Sequence, residues 1–219
     1  MVTLFNKTLF GIVLFGLLSA CAGFREGYES LAYIDNAEQL PKQRGPGYMP
    51  PHAVPWNGLT LRVALNNTLQ TSDHTVMLFV VPTSVDPFDK FVGPEAQSRL
   101  TVFFDVKGAD NHEFDPSKAQ FVVDGQRHAP ILVTEFAKRD PDGQYADTDG
   151  RWGYETLTGV KRLTEPGRNY SFKLQFDLDR PSPLKDNFLL DMQGALKGPA
   201  GQAGPVLRFK AVKWENGYT

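Results

Sequence analysis

One cysteine in 219 residues excludes an internal disulfide framework and any cysteine-based zinc cluster. Charge of one sign is also missing: 23 Lys and Arg stand against 25 Asp and Glu, a formal net charge of -2. No basic field is therefore available to hold nucleic acid. No apolar run reaches the ~20 residues that a membrane-spanning helix needs. Gly-x-Ser-x-Gly, Walker and His-Glu-x-x-His patterns do not occur. The histidines, His52, His74, His112 and His128, are scattered, with no two at metal-ligand spacing. No catalytic residue, metal ligand or cofactor is assigned on these grounds. A non-enzymatic chain is expected.

What the sequence does contain is apolar and aromatic mass. Hydrophobic residues make up 41% and aromatics 12%, which excludes a disordered chain. The 20 glycines and 16 prolines make it rich in turns, and without a period they are not collagen-like. Gly198 to Gly204 repeats glycine every third residue, the wrong spacing for a nucleotide loop, and is expected to be a flexible connector.

The N-terminus carries Lys7 as its one early charge, then a nearly apolar run from Leu9 to Leu18, then Leu18-Ser19-Ala20-Cys21. A short positive region, about ten apolar residues and small residues before a cut form a secretory signal. The last four residues resemble the lipobox of bacterial lipoproteins. The resemblance implies a signal peptide over 1–20, cleavage before Cys21, and acylation (palmitate and related chains) of that cysteine. Ala22, where an aspartate would favour inner-membrane retention, implies an outer-membrane lipoprotein, expected to face the periplasm. Several acyl chains on one residue hold far more firmly than the marginal grip of a single myristoyl chain.

Residues 21–55 read as a lipidated N-terminus and tether. Pro41, Pro46, Pro50, Pro51 and Pro55, with Gly45 and Gly47 among them, suit an extended, semi-rigid spacer.

From 56 to 219 the chain reads as one all-β domain. Leu59, Leu61, Val63 and Leu65 alternate with polar or small residues, as do Tyr170, Phe172, Leu174, Phe176 and Leu178; both are strands with one buried face. The second spans about 30 Å. Leu100 to Val106 repeats the pattern, with Phe103 out of step. Met77 to Val81 is continuously apolar, as for a central strand or one that switches sheets. Asp124-Gly125 between strand-like runs predicts a type I′ hairpin whose return strand reaches about Val133. Leu207 and Phe209 differ in parity from Val212 and Trp214, which predicts a bulge near Ala211. Thr158 to Leu163 and Phe188 to Met192 are weaker strands. About eight or nine strands without helical periodicity imply a sandwich or barrel. The alternation and spacing resemble the antiparallel immunoglobulin-like β-sandwich of bacterial envelope modules. A lipocalin barrel fits less well, because Gly150-Arg151-Trp152 lies far from the first strand.

Thr134 to Thr158 shows no clear period and reads as a long loop, a class that is usually functional or disordered. It holds Asp140, Asp142, Asp147 and Asp149 with Tyr145, Trp152 and Tyr154. An EF-hand alignment fails, since Glu155 misses the twelfth position by one. Two expectations stay open. Trp152 and Tyr154 pin the loop to the sandwich. Alternatively Tyr145, Trp152 and Tyr154, with Asp147 and Asp149, form a binding loop for peptide or sugar. The function expected is a non-catalytic envelope protein that binds a protein partner or supports an assembly. The type VI secretion lipoprotein is similar in architecture. The alternative is an envelope protein that binds or processes glycans through the 134–158 loop.

Overall fold

The computed structural model describes residues 21–44, 51–77, 81–92, 98–108, 111–139, 150–185 and 187–218. The predicted signal peptide lies outside them. The chain is all-β: the described residues form seventeen strands in three sheets, with three short 3-10 turns between them. No described helix is long and apolar enough to cross a membrane.

The largest sheet orders β10 (Gln126–His128), β9 (Gln120–Val123), β15 (Phe188–Asp191), β17 (Val206–Tyr218), β1 (Cys21–Tyr33), β5 (Leu69–Met77) and β6 (Val81–Phe91). It curls into a half-barrel. β2 (Gln43–Arg44) adds a short parallel pairing to β17; the other pairings are antiparallel. The second sheet orders β12 (Arg151–Thr156), β11 (Pro130–Arg139), β14 (Asn169–Asp179), β7 (Arg99–Lys107), β4 (Leu59–Leu65) and β3 (Ala53–Trp56). A small third sheet joins β13 (Lys161–Leu163), β8 (His112–Phe114) and β16 (Leu196–Lys197).

Alternation drives burial as expected. In β14, Tyr170, Phe172, Leu174 and Phe176 are buried while Ser171, Lys173 and Gln175 stay half-exposed. β4 alternates without exception, and Phe103 in β7 turns outward at 38% exposure. The two large sheets share one core. Phe121 of β9 packs against Phe176 of β14 with ring centroids 5.6 Å apart, and Phe114 lies 4.7 Å from Phe172. Each such buried side chain contributes about 1.5–3 kcal/mol. The Asp124-Gly125 turn has φ of 50° and 77°, the type I′ signature.

Several expectations are corrected. Cys21–Tyr33 is not a tether but a central strand, paired to β17 through eleven residues and to β5 on its other side. Its buried positions include Gly23, Gly27 and Ser30, spread over both faces, so no apolar alternation announces it. The described β-structure thus includes Cys21–Tyr33, well before residue 56. Of the prolines in this stretch, Pro41 precedes β2, Pro51 precedes β3 and Pro55 lies within β3; Pro46 and Pro50 fall in 45–50, outside the described set.

The bulge expected near Ala211 is absent from the β1–β17 register. Val212 instead faces the opposite side of the sheet, where Leu31, Leu40 and Tyr33 cover it in a second small core. The irregularity falls in the neighbouring pairing, between Glu26 and Gly27. Most of the Met77 to Val81 run, expected as a central or sheet-switching strand, lies outside the described residues; Met77 itself ends β5, which lies between β1 and β6. Met77 pairs with Val81, so the chain reverses there into the edge strand β6, and residues 78–80 lie outside the described set. The return strand after Asp124-Gly125 stops at His128, and the chain passes to the second sheet at Pro130.

Candidate functional site

The 134–158 segment is largely a hairpin rather than an irregular loop. Thr134 to Arg139 of β11 pair in register with Arg151 to Thr156 of β12. Asp140, Asp142, Tyr145, Asp147 and Asp149 lie outside the described residues. β12 is the last strand of its sheet and buries neither face. A one-sided apolar pattern therefore never develops. The signal that could have found it is the spacing of Trp152 and Tyr154, two apart between charged neighbours, which is a strand period.

That spacing puts both aromatics on the outer face beside Phe136, their cross-strand neighbour. Phe136 stacks on Trp152 with centroids 5.2 Å apart and planes inclined by 20°, and meets Tyr154 at 4.8 Å. Trp152 remains 65% exposed and Tyr154 54%. The expectation that Trp152 is a buried pin is therefore overturned: its ring rests on another ring, with its far side in water. The Lys173 ammonium lies 5.7 Å from the Tyr154 ring centre, and Lys173 pairs across β14–β7 with outward-facing Phe103. An aromatic and cationic row thus crosses four strands. It can stack on flat apolar faces and give hydrogen bonds from an ammonium and an indole.

Beside the hairpin opens a cleft of about 460 Å³, lined by Glu135, Lys138, Trp152, Glu165, Arg168 and Tyr170 among others. Glu135, buried on the inner side of β11, accepts a 3.1 Å hydrogen bond from the Lys161 ammonium. Glu165 pairs with Arg168, whose guanidinium sits 5.1 Å from the Tyr170 ring. The Glu165 backbone N–H donates to the Tyr170 hydroxyl at 3.3 Å. Both cleft carboxylates thus have a cation of their own. Neither belongs to the acidic set read from the sequence, of which Glu155 alone is described, exposed on β12. Glu165 was missed because only the fold brings it to the hairpin, and Glu135, within the hairpin, because no sequence signal marks it as a cleft residue.

Three carboxyls on other elements have displaced pKa values. Burial raises the Glu29 carboxyl, against the opposing pull of Arg44 at 2.7 Å. Hydrogen bonding from Lys213 lowers Glu26, and hydrogen bonding from Ser117 lowers Asp115, which caps the turn at Pro116. Among the described residues, no three His, Cys, Asp or Glu side chains gather as a metal site. The chain matches no protein-family model and no curated protein.

Proposed function

We propose that the chain is a lipid-anchored, non-catalytic module of the bacterial outer membrane, facing the periplasm, that docks a protein partner on the outer face of its second sheet. The observation that carries the docking reading is the exposed aromatic row. A tryptophan and a tyrosine at 65% and 54% exposure, backed by Phe136, are the residue types that dominate protein interfaces. The lipobox resemblance of Leu18 to Cys21 supports the anchor. The start of β1 at Cys21 bears on geometry: acyl chains there would attach the sheet to the membrane with no spacer between. The finer fold reading is an immunoglobulin-like sandwich, supported by the single core between the two large sheets.

The test is capture from detergent-solubilised membranes, comparing wild type with Trp152→Ala/Tyr154→Ala. The reading predicts a protein recovered with wild type and lost with the double variant, which still unfolds cooperatively at a modestly lowered midpoint. Recovery of the same proteins by both overturns it. A second reading, glycan binding, is favoured by the polar cleft with Trp152 at its margin. It predicts co-sedimentation with purified peptidoglycan that Trp152→Ala weakens.

A further inference from the structure

Exposed sheet edges invite association, and folded proteins blunt them with proline, shortness or bulges. Three of the four edges of the two large sheets here are blunted. β3 carries Pro55, β6 carries Pro82 and Pro87 with two register shifts against β5, and β10 has three residues. The end strands of the third sheet are three and two residues long. β12 is the exception: six residues, Arg151-Trp152-Gly153-Tyr154-Glu155-Thr156, with no proline and no shift against β11.

The order of residues in β12 is self-complementary. Read in reverse, cation–aromatic–Gly–aromatic–anion becomes anion–aromatic–Gly–aromatic–cation. We infer that β12 is a homodimer edge, pairing antiparallel with β12 of a second copy about a twofold axis at Gly153. In that register Arg151 stands opposite Glu155 of the other copy, and Trp152 opposite Tyr154, each pair occurring twice by symmetry. Directly opposed residues share a face. The aromatic pairs therefore fall on the outer face, where Trp152 and Tyr154 already lie against Phe136, and the charge pairs on the other. Gly153 meets Gly153, leaving no side chain at the axis. The two six-stranded sheets become one, and the two aromatic rows become continuous. A twofold contact between identical patches closes on itself and leaves no further edge of this kind exposed. Anchoring both copies in one membrane raises their effective concentration for so small a contact.

The inference does not depend on what the aromatic face binds, and its test needs no partner. The sequence holds one cysteine, Cys21, and a Cβ at Gly153 has open space around it. Gly153→Cys in the full chain, in membranes, is treated with a mild thiol oxidant, with wild type setting the background from Cys21. Opposed Cα atoms about 4.5–5.5 Å apart fall within disulfide range, so a cross-linked dimer is expected well above background. Glu155→Cys is the register control. Its two copies would stand about 13 Å apart along the strand and should not cross-link. Adding Arg151→Glu to Gly153→Cys should cut cross-linking about fivefold or more, and adding Glu155→Arg as well should restore it. No dimer above background at Gly153→Cys, equal cross-linking at Glu155→Cys, or no restoration by the charge swap overturns the inference. Intact cross-linking with no protein captured by wild type, or with the same proteins captured by wild type and by Trp152→Ala/Tyr154→Ala, would count against the docking reading alone.

Discussion

Trp152 and Phe172 are both large aromatics on strands, and exposure separates their roles. Phe172 is 2% exposed inside the shared core, whereas Trp152 is 65% exposed. Phe172→Ala is expected to cost about 3–5 kcal/mol, as for a deleted core aromatic. Trp152→Ala loses chiefly its stack on Phe136, about 0.5–1.5 kcal/mol. Urea unfolding of both variants checks this; equal losses would contradict the assigned faces. Gly27 is a second decisive residue. A Cβ there would stand 1.9 Å from the Leu69 carbonyl oxygen, where the β1–β5 register shifts. Gly27→Ala must move backbone, and a fall of about 2 kcal/mol or more is expected by the same assay. Glu26 sets a pH dependence. Its pKa lies below the ordinary 4.5, chiefly through the hydrogen bond from Lys213. Its stabilising contribution is therefore complete above about pH 4.5 and is lost as pH falls through the lowered value. Glu26→Gln should flatten that acid limb. Glu29, raised by burial, contributes the opposite slope: its cost grows as pH rises through its raised value. A variant curve that superimposes on wild type below pH about 4.5 would contradict the Glu26 assignment.

Elements were legible where one face is apolar and the other is not. β4, β7 and β14 announce themselves by alternation, and the β9–β10 turn by Asp124-Gly125, because there local chemistry and tertiary environment agree. β1 and β12 fail that test for opposite reasons. β1 is flanked by strands on both sides and uses Gly23, Gly27 and Ser30 at buried positions, so its pairing comes from its neighbours rather than from its own pattern. β12 buries nothing, so its aromatics read as loop residues. The parity change in β17 was correctly noticed but misassigned, since a second core on the far face produces the same pattern as a bulge. Of the candidate site, the aromatics Trp152 and Tyr154 were readable. Phe136, Lys173 and the cleft carboxylates were not, because the pairing of β11 with β12 and β14 assembles them. The standing of β1 has its own test. Removing residues 22–33 from a soluble chain that begins at Ala22 should abolish cooperative unfolding, because β17 and β5 lose their shared partner. An unchanged midpoint would restore the tether reading.

For the whole molecule, the positions of Cys21 and the aromatic row join the two halves of the proposal. Cys21 opens a strand inside the largest sheet, while Trp152 and Tyr154 lie at the edge of the other large sheet. An acyl anchor at Cys21 would fix the first sheet at the membrane, and the row would remain open to the periplasm for a partner. A chain with near-balanced charge, 23 basic against 25 acidic residues, brings little electrostatic attraction to an anionic membrane surface. In the proposed arrangement the lipid, and not charge, would supply the attachment. The most direct measurement is the intact mass and membrane fraction of the mature protein. The account predicts a polypeptide that begins at Cys21, carries acyl mass on that residue and sediments with the outer membrane, and that Cys21→Ala leaves unprocessed or releases; a soluble native protein with an unmodified Cys21 would contradict it.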